Sequence, residues 1–456
     1  MTDLEMAREI ALRVRDAGGC AYFVGGYVRD RLLGLQNKDI DIEIHGITPE
    51  ALTEILSLLG EMTAYGESFG IFGLRHFHLD IAMPRSERAV GPGHRDFICT
   101  LDPFIGTFRA ALRRDFTVNA LMQDVLTGEI VDHFGGVEDL RKGFIRHMDD
   151  RRFAEDPLRV LRGAQFASRF EFQIAPETVE ICRRMDLSAL PPERIFGELE
   201  KALMKAAHPS RFFTELRRMD QLKLWFPELQ ALIGVPQPPQ HHPEGDVWNH
   251  TMMVLDEAAA LRTQADYPLG LMCSALCHDF GKVTATRVED DGRLHAFGHE
   301  KAGVPLAERF LTRITREKRL IRYVQNMVEL HMLPNMLTAQ HAGEKAYNKV
   351  FDRSVSPADL LLLSRADALG SSLPPAAYLP TEETLQLRLT DFQKQMAVPF
   401  VTGADLIAAG FLPGTDFHAA LEYAHKLQLS GVDRKNTLAQ TFAFLRKLSE
   451  TEGKRL

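Results

Sequence analysis

Asp39 and Asp41 lie two residues apart in a short run of alternating polar and apolar residues, 39–44. This alternation is typical of a half-buried strand, in which side chains two residues apart point to the same face. Two carboxylates on one face repel each other unless a cation neutralises them, and Mg²⁺ takes carboxylate ligands while sharing substrate phosphates. Asp80, in another strand-like run, can supply a third carboxylate. The pattern predicts a catalytic magnesium site at Asp39, Asp41 and Asp80.

Gly25 and Gly26 stand shortly before the helix-like segment "VRDRLL", which contains Arg29. Glycines allow the backbone to approach a polyphosphate closely, and a helix N-terminus presents unpaired amides to anions. Together with the carboxylates, this segment predicts a site for a nucleoside triphosphate and its metal. The alternative is that the aspartates face solvent on an edge strand and the glycines form a turn.

A carboxylate and two guanidiniums recur at a spacing of three residues, as Asp156, Arg159 and Arg162. On a helix this spacing places them on one face. Cytosine and adenine both present an amino donor beside a ring-nitrogen acceptor, whereas guanine and uracil present a carbonyl beside a ring N–H. An accepting Asp and a donating Arg would select C and A, because a wrong base leaves polar groups unpaired. The alternative is an intrahelical ion-pair network.

A second set of metal-ligand residue types lies in the middle of the chain: His250, the pair His278 and Asp279, and Asp367. Imidazole and carboxylate together suit Mn, Ni, Fe or Mg ions. Their order resembles that of HD-domain metal phosphohydrolases, and His299 and His331 could extend the site towards a second metal. The alternative is a helical body whose histidines are structural and whose metal is lost.

The chain has 456 residues, 45% of them hydrophobic, and a formal net charge of −8. This length suffices for about three domains. The acidic balance argues against a protein that coats nucleic acid, so a nucleic-acid site is expected to be a confined basic groove. Five cysteines without a CxxC pair, the lack of a secretory signal pattern and the lack of a long apolar segment predict a cytoplasmic protein with no membrane partner.

The pattern of the sequence changes near residue 145. Before it, short strand-like runs alternate with helical patterns, and after it nearly everything has helical periodicity. Residues 84–101, rich in Gly, Pro and charge, are expected to form a loop over the site. Clusters of Pro and Gly at 233–246 and 369–383 indicate further breaks. The predicted fold class is α+β, with a small mixed sheet and helices followed by an all-helical remainder.

Six motifs together carry a resemblance over nearly the whole chain: "GGYVRD", "DIDIE", "RRDFTVNAL", "VDHFGGVEDLRKGFIR", "AEDPLRVLRGAQF" and "VTGADLIAAGFLPGTDF". They resemble the class II template-independent nucleotidyltransferases, the family of bacterial CCA-adding enzymes and poly(A) polymerases. The resemblance implies addition of C, C and A from CTP and ATP to the tRNA 3′ end, by in-line attack on the α-phosphate. It also implies phosphatase and 2′,3′-cyclic phosphodiesterase activity in an HD domain.

The resemblance further assigns nucleotide binding to ten positions: Gly26, Arg29, Arg113, Arg114, Asp115, Asn119, Glu155, Asp156, Arg159 and Arg162. Arg113, Arg114 and Asp115 would clamp the sugar and phosphates, because a guanidinium can bind two phosphate oxygens at once. Glu155 would orient Arg159. A solvated basic helix start is the alternative for Arg113 and Arg114.

Four domains are predicted on this basis: a nucleotidyltransferase head in 1–145, a base- and RNA-recognising helical neck in 146–232, an HD metal phosphohydrolase domain in 233–375, and a tRNA-binding helical tail in 376–456. A poly(A) polymerase, or an enzyme that adds only the terminal A, would carry the same motifs. A third alternative is an HD hydrolase or RNA-binding protein with an inactive transferase head. The intact acidic pair, Asp39 and Asp41, argues against an inactive head. So does the intact RRD motif, which is Arg113, Arg114 and Asp115.

Overall fold

The computed structural model describes residues 1–37, 39–64, 71–89, 97–290, 292–372 and 374–451. The chain divides into two compact units, Met1–Trp225 and Phe226–Leu456. The first unit combines a β-sheet with helices, and the second is built almost entirely of helices. This mixed architecture confirms the predicted α+β fold class.

The first unit contains these elements in chain order: α1 (Asp3–Asp16), β1 (Cys20–Val24), α2 (Gly26–Leu32), β2 (Ile40–His45), α3 (Pro49–Ser57), β3 (Met62–Ala64), β4 (Ile71–Leu74), β5 (Leu79–Ala82), β6 (Arg85–Ala89), β7 (Phe97–Leu101), α4 (Thr107–Leu112), β8 (Met122–Asp124), β9 (Ile130–Val131), α5 (Gly136–Lys142), β10 (Phe144–Ile145), α6 (Asp150–Ala154), α7 (Leu158–Phe170), β11 (Gln173–Ile174), α8 (Pro176–Arg184), α9 (Pro192–Lys205), α10 (Ser210–Arg218) and α11 (Leu222–Trp225). A 3₁₀ helix, Thr117–Asn119, follows α4.

Seven strands form one mixed sheet in the order β3-β4-β5-β2-β1-β8-β9. The central strand β2 runs antiparallel to β1 and parallel to β5. Its isoleucines at 40, 42 and 44 are buried, so the acidic residues between them occupy the opposite face of the strand. The register of β2 and β5 places Asp41 directly opposite Asp80. The sheet thus brings together two carboxylates that are far apart in the sequence.

The segment 84–101, expected to be a loop, contains two strands. β6 pairs with β7 in antiparallel register, from Arg85 opposite Leu101 to Ala89 opposite Phe97. The prediction of a loop was wrong at these ends, because the β-branched and aromatic residues of "FICTL" favour a strand more than the nearby Gly and Pro favour a loop. The rest of the expected loop, residues 90–96, lies outside the described residues.

The second unit contains these elements: α12 (Pro227–Gln230), α13 (Val247–Leu261), α14 (Pro268–Cys277), α15 (Lys282–Ala285), β12 (Arg287–Val288), β13 (Leu294–His295), α16 (His299–Ile314), α17 (Lys318–Leu330), α18 (Leu333–Ala339), α19 (Glu344–Arg353), α20 (Pro357–Leu369), α21 (Leu379–Met396), α22 (Gly403–Ala408), α23 (Asp416–Leu429) and α24 (Arg434–Thr451). Among the helices of the described residues, none has both the length and the apolar character that crossing a bilayer requires.

α14 lies at the centre of a helical bundle and packs against α13, α16, α17 and α20. Every residue from Gly270 to Cys277 is buried, as expected for a helix that is hydrophobic on all sides. His278 and Asp279 follow immediately after this helix and are buried as well. The apolar run of α14 therefore fixes the position of the HD pair.

The last helices have a hydrophobic cluster of their own, whose buried members are Val401, Leu406, Phe411, Ala420, Ala424 and Leu445. A separate cluster is what an independent C-terminal module would require. The division into four domains at 145, 232 and 375 nevertheless stays a prediction.

Phe116 is a test of the core of the first unit. Its side chain is fully buried, and its ring centroid lies 5.6 Å from that of Phe153 and 5.9 Å from that of Phe166. We expect Phe116→Ala to lower the free energy of unfolding by about 3–5 kcal/mol in urea titrations, because it removes a ring and leaves a cavity. Phe104→Ala, at a site 67% exposed, should change it by less than about 0.5 kcal/mol. If both substitutions changed the free energy of unfolding by the same small amount, the packing described for Phe116 would be contradicted.

Candidate functional site

A cavity of about 550 Å³ in the first unit is lined by both acidic and basic residues. Its lining residues are Gly25, Gly26, Arg29, Asp30, Asn37, Asp39, Asp41, Arg114, Asp115, Asn119, Asp156, Leu158, Arg159, Arg162, Phe166, Arg169, Arg194 and Lys205. Ten of the predicted site residues are in this set. Asp80, Arg113 and Glu155 are not.

A third carboxylate, that of Asp80, lies near the two that line the cavity, those of Asp39 and Asp41. Asp41 is half-buried on β2, Asp80 lies opposite it on β5, and Asp39 precedes β2. Burial raises the pKa of Asp41 to about 6, and Asp80 and Asp39 add to the rise while Arg114 opposes it. A divalent cation would relieve this repulsion, and oxygen ligands are those that Mg²⁺ prefers. The residues present therefore fit a magnesium site.

Glu43 lies on the same face of β2 as Asp41 but is buried, and it is not among the predicted site residues. It is fully buried and accepts hydrogen bonds from His45 at 3.0 Å and from Arg113 at 2.8 Å, with Arg114 at 3.6 Å. Burial alone would raise its pKa, but His45 and the two guanidiniums lower it to about 2. Glu43 is thus a fixed negative charge that holds both arginines. The period-two pattern of "DIDIE" places Glu43 on the same face as Asp39 and Asp41, so the sequence could have identified it.

Gly25, at the end of β1, lets the backbone lie close to Arg114 of the RRD motif. Its φ of +62° is favourable for glycine, and a Cβ there would lie 2.8 Å from a guanidinium nitrogen of Arg114. The next residues begin α2, whose Arg29 donates to Asp30 at 2.8 Å and to Asn119 at 2.5 Å. Because Arg29 is buried and committed to these partners, its contacts shape the cavity wall. A side chain at Gly25 would displace Arg114.

Asp115 joins the RRD motif to α7. It accepts hydrogen bonds from Asn119 at 2.9 Å and from Arg162 at 2.7 Å. Burial works against its charge, but Arg162 and the amide of Asn119 lower its pKa. Arg162 also lies 5.2 Å from the centre of the Phe166 ring. Asn119 and Arg162 therefore hold the carboxylate of Asp115 in place, and all three are predicted nucleotide-binding residues.

Asp156 does not lie on a helix with Arg159, as the spacing had predicted. α6 ends at Ala154 and α7 begins at Leu158, because Pro157 disfavours helical backbone in the residue before it. Asp156 accepts instead from the N–H of Leu158 at 3.0 Å and lies 3.4 Å from Arg194. It still faces the same cavity as Arg159.

Arg159 is held by main-chain oxygens. Its guanidinium donates to the carbonyl of Arg152 at 2.8 Å and to that of Arg113 at 2.9 Å. Glu155, predicted to orient it, is exposed, and the described contacts of Arg159 do not include it. The guanidinium retains further N–H donors for a ligand. The role of Glu155 stays a prediction.

Several residues of the cavity were missed by the sequence analysis. Arg169 lies on the face of α7 that carries Arg159 and Arg162, so helical periodicity could have identified it. It approaches Asp30 at 3.5 Å. Arg194 and Lys205 come from α9, and no pattern in the sequence connects that helix to the site. Together they make the cavity wall strongly basic, which suits phosphate groups.

The second unit gathers the predicted metal ligands around Asp279. His250 Nε2 lies 3.0 Å from Asp367 and 3.7 Å from Asp279, and His278 Nε2 lies 3.2 Å from Asp279. His299 and His331 approach the other oxygen of Asp279 at 3.3 and 3.9 Å. The structure thus places all four predicted residues together, with the two further histidines beside them.

Backbone carbonyls orient three of the histidines in the same way. The Nδ1 atoms of His278, His299 and His331 donate to the carbonyls of Ala275, Ala296 and Val328 at 2.7–2.8 Å: these are the contacts His278–Ala275, His299–Ala296 and His331–Val328. Each Nε2 is therefore turned towards Asp279 as a potential metal ligand. Burial, with His278 and His299 nearby, lowers the pKa of His331 to about 3. A neutral imidazole is the form that binds metals.

Glu244 orients the fourth histidine, His250. Its carboxylate accepts from His250 Nδ1 and from His242 Nδ1, each at 2.9 Å. Burial opposes the charge, but these hydrogen bonds lower the pKa of Glu244 to about 2. Because Glu244 occupies Nδ1, Nε2 of His250 faces Asp367 and the metal-ligand group. The carboxylate–histidine pair is typical of metal centres.

The donor set of this group fits a divalent metal ion. His250, His278 and Asp279 form one compact set of possible ligands, and Asp279, His299 and His331 form another. Both carboxylate oxygens of Asp279 and Nε2 of His278 are buried without an aligned hydrogen bond. Imidazole with carboxylate suits Mn, Ni or Fe more than an all-oxygen site would.

Comparison with protein families divides the chain in the same order as the sites. The family of the poly A polymerase head domain matches residues 21–146. The probable RNA- and SrmB-binding site of polymerase A matches residues 171–233, and the HD domain matches residues 247–371.

Curated relatives resemble most of the chain. The multifunctional CCA protein of Nitrosococcus oceani is 36% identical over 397 residues, which cover 85% of this chain and 93% of the relative. The multifunctional CCA protein of Actinobacillus pleuropneumoniae serotype 5b is 41% identical over 300 residues, which cover 64% of this chain and 70% of the relative. The family resemblance expected from the sequence is confirmed.

Solved structures share the fold. An apo form of a CCA-adding enzyme superposes with a TM-score of 0.65 at 19% identity and covers 96% of this chain and 95% of that chain. The Bacillus stearothermophilus CCA-adding enzyme in complex with CTP gives 0.64 at 21% identity, with 99% and 100% covered. The Thermotoga maritima CCA-adding enzyme complexed with tRNA gives 0.60 at 20% identity, with 97% and 95% covered.

The raised pKa of Asp41 makes stability depend on pH. Because the folded-state value of about 6 exceeds the ordinary 3.8, the folded protein binds an extra proton between these values, and stability gains as the pH falls through them. We expect metal-free Asp41→Asn to be more stable than the wild type at pH 7.5 by on the order of 1–2 kcal/mol, with the difference shrinking towards pH 4.

Thermal unfolding with and without Mg²⁺ checks this expectation. Mg²⁺ should raise the Tm of the wild type but not that of Asp41→Asn. Asp16→Asn, on an exposed helix end, should behave as the wild type in both conditions. A variant that is less stable at every pH would show that the carboxylates are not under electrostatic strain.

Glu244→Gln tests the orientation of His250. The amide keeps the shape of Glu244 but loses the charge that holds two imidazoles, so we expect metal affinity to fall about 10–100-fold. Competition with a fluorescent chelator measures the affinity. Glu329→Gln, which alters an exposed ion pair with Arg353, is the matched control and should leave it unchanged. Unchanged affinity in Glu244→Gln would remove Glu244 from the metal centre.

Proposed function

This chain belongs to the family of multifunctional CCA proteins, and we propose that it adds C, C and A to the 3′ end of tRNA from CTP and ATP. The observation that carries the proposal is the single cavity of about 550 Å³ that unites Asp39 and Asp41 with Asp156 and Arg159. A metal-binding acidic edge and a base-selecting wall in one space are what template-independent nucleotide addition requires. The basic residues between them suit a triphosphate.

The reaction forms one bond and breaks one bond at the α-phosphorus. The 3′-hydroxyl oxygen of tRNA bonds to the α-phosphorus, the hydroxyl proton passes to solvent water, and the bond from the α-phosphorus to pyrophosphate breaks. Asp39 and Asp41, beside Asp80, would hold Mg²⁺, which when bound supplies charge neutralisation and favours the ionised hydroxyl. Arg114, fixed by Glu43, faces the same cavity and stabilises negative charge on the phosphates.

Base selection is proposed for Asp156 and Arg159. Asp156 accepts a hydrogen bond from an exocyclic amino group, and Arg159 donates one to a ring nitrogen, a combination that C and A share. Because Arg159 is tied to two backbone carbonyls, its free N–H groups have a fixed direction. A fixed pair penalises G and U, whose edges leave both partners unpaired.

The alternatives make different products from the same head. A poly(A) polymerase would extend with many A residues, an A-adding enzyme would act only on ends that already carry CC, and an inactive head would add nothing. The multifunctional CCA proteins among the relatives favour full CCA addition. The charged cluster around Asp41 supports an active head.

We propose a second activity, hydrolysis of phosphate esters, for the HD domain. Its substrates would be phosphomonoesters and 2′,3′-cyclic phosphates of damaged tRNA ends. The oxygen of water bonds to phosphorus, one P–O bond to ribose breaks, and the ribose oxygen takes up a proton. His250, His278, Asp279 and Asp367 would hold a divalent transition metal such as Ni²⁺ or Mn²⁺, which activates the water when bound. The compact ligand group around Asp279 supports this proposal.

The four-domain division and the cytoplasmic location remain part of the proposal. The matched families support a head, an RNA-binding region and an HD domain in that order. Cys20, Cys182 and Cys277 are thiols that take part in no disulfide, which agrees with a reducing compartment.

Two substitutions should separate the activities. Asp41→Ala removes a ligand of the transferase site, and Asp279→Ala removes the central ligand of the HD site. We expect Asp41→Ala to lower nucleotide incorporation by more than about 10³-fold while phosphate hydrolysis is unchanged, and Asp279→Ala to do the reverse. Each variant serves as the control for the other.

The assay uses tRNA transcripts that end before CCA, after C and after CC, with Mg²⁺ and single or mixed nucleotides. Products are separated at single-nucleotide resolution. Addition of C, C and A followed by arrest supports CCA addition, whereas a long A tail or addition of A to the CC end alone supports an alternative. Loss of both activities in either folded variant would overturn the two-site proposal.

A further inference from the structure

Three arginine side chains of the first unit contact two aromatic rings of α7. The Cζ atom of Arg29 lies 5.1 Å from the ring centre of Phe166 and 4.5 Å from that of Phe170. Cζ of Arg162 lies 5.2 Å from the ring centre of Phe166, and Cζ of Arg169 lies 4.9 Å from that of Phe170. These distances are those of cation–π contacts. Guanidiniums and rings therefore alternate in the order Arg162, Phe166, Arg29, Phe170, Arg169.

The two rings also lie against each other. Phe166 and Phe170 are four residues apart on α7, which places them on one face of the helix. Their ring centroids are 5.9 Å apart, and their planes meet at 20°. Arg29, from α2, contacts both rings and is only 3% exposed. A cation–π contact is stronger when water is excluded, so this buried arginine depends more on the rings than an exposed one would.

Hydrogen bonds fix the edge of the Arg29 guanidinium. Nε and Nη2 donate to Asp30 at 2.8 and 2.6 Å, and Nη1 donates to Asn119 at 2.5 Å. A guanidinium has more N–H donors than these contacts use, so some stay available to a ligand. Nη2 lies 3.5 Å from the position that a Cβ of Gly26 would occupy, and both residues line the cavity. The rings packed against the group restrict its tilting about these hydrogen bonds.

The rings stabilise the arginines without cancelling their charge. The face of an aromatic ring carries partial negative charge, which attracts a guanidinium as a whole, whereas a carboxylate neutralises it and occupies particular N–H groups. Asp30 is shared between two arginines: one of its oxygens accepts from Arg29, and the other lies 3.5 Å from Arg169. A carboxylate shared by two guanidiniums leaves net positive charge at this side of the cavity, which suits a phosphate group.

We propose that Phe166 and Phe170 are positioning residues that direct Arg29 towards the phosphates of the incoming nucleotide. A charged group with only N–H donors binds anions, and CTP and ATP share the same triphosphate. The role therefore differs from base selection by Asp156 and Arg159, and it is equal for both nucleotides. The inference rests on the proposed nucleotide addition.

Phe170 gives the cleaner test, because it is half-buried and lies outside the cavity wall that Phe166 helps to form. It acts on a nucleotide only through the arginines that it contacts. Phe170→Leu keeps an apolar side chain but removes the ring, whereas Phe170→Tyr keeps the ring. Phe172→Leu is the matched control. Its ring centroid lies 5.8 Å from that of Phe170, but no guanidinium in the described part of the chain lies over it.

Steady-state nucleotide addition by the full-length protein measures the effect. Phe170→Leu should raise KM for CTP, on tRNA that ends before CCA, and KM for ATP, on tRNA that ends in CC, each about tenfold and with kcat nearly unchanged. The preference for CTP over UTP, as a ratio of kcat/KM values, should stay that of the wild type. Phe170→Tyr and Phe172→Leu should keep the wild-type KM values.

The preference for CTP separates positioning of the phosphates from a general distortion of α7, which also carries Arg159. A lower preference for CTP in Phe170→Leu, an unchanged KM, or an equal rise of KM in Phe170→Tyr would overturn the inference. In the background of Arg29→Met, which lacks the guanidinium, Phe170→Leu should raise KM no further. A second rise of the same size would show that Phe170 does not act through Arg29.

Binding of inorganic tripolyphosphate does not depend on catalysis. Isothermal titration calorimetry in Mg²⁺ should give a Kd about tenfold higher for Phe170→Leu than for the wild type, and wild-type values for Phe170→Tyr and Phe172→Leu. This pattern without any nucleotide addition would retain the positioning role and reject the proposed function. Nucleotide addition by the wild type, with the same Kd in the wild type and in Phe170→Leu, would do the opposite.

Discussion

Repulsion between carboxylates on neighbouring strands is the constraint on which the first site depends. The parallel register of β2 and β5 places Asp41 opposite Asp80, and burial weakens the screening that water would provide. Along β2 the acidic residues become more buried, from the exposed Asp39 to the fully buried Glu43. The innermost charge is neutralised by protein groups, His45 and two arginines, and the outer ones are left for a cation. Stability and function therefore oppose each other at Asp41.

The HD site surrounds its buried carboxylate with histidines. Asp279 carries the buried charge, and four imidazoles approach it through their Nε2 atoms. Three backbone carbonyls and Glu244 occupy the Nδ1 atoms, so the direction of each ring is fixed before a metal binds. The apolar helix α14 holds the HD pair in the centre of the bundle. The HD-site ligands are thus positioned by residues at helix ends, whereas the carboxylates of the first site are positioned by strand register.

The two sites differ in how much of them a sequence pattern can predict. Period-two alternation predicted the acidic strand correctly, but it did not reveal the role of the buried Glu43, because its partners Arg113 and Arg114 are distant in the sequence. The helix expected through Asp156 ends before it, since Pro157 overrides the spacing of three. The loop expected at 84–101 has strands at both described ends. Both differences are local: Pro157 ends a helix that the spacing would continue, and strand-favouring residues outweigh the nearby Gly and Pro.

The sequence by itself determined the fold class, the acidic strand and the RRD motif. It also determined the types of the HD-site ligands, His250, His278, Asp279 and Asp367. These features depend on residue identity and on spacing along one element. Only the tertiary structure decided that Asp80 lies opposite Asp41, that Arg194 approaches Asp156, and that His299 and His331 reach Asp279. These contacts join elements that are distant in the chain. Their distances depend on strand register and on helix packing, which follow from burying apolar surface across the whole unit.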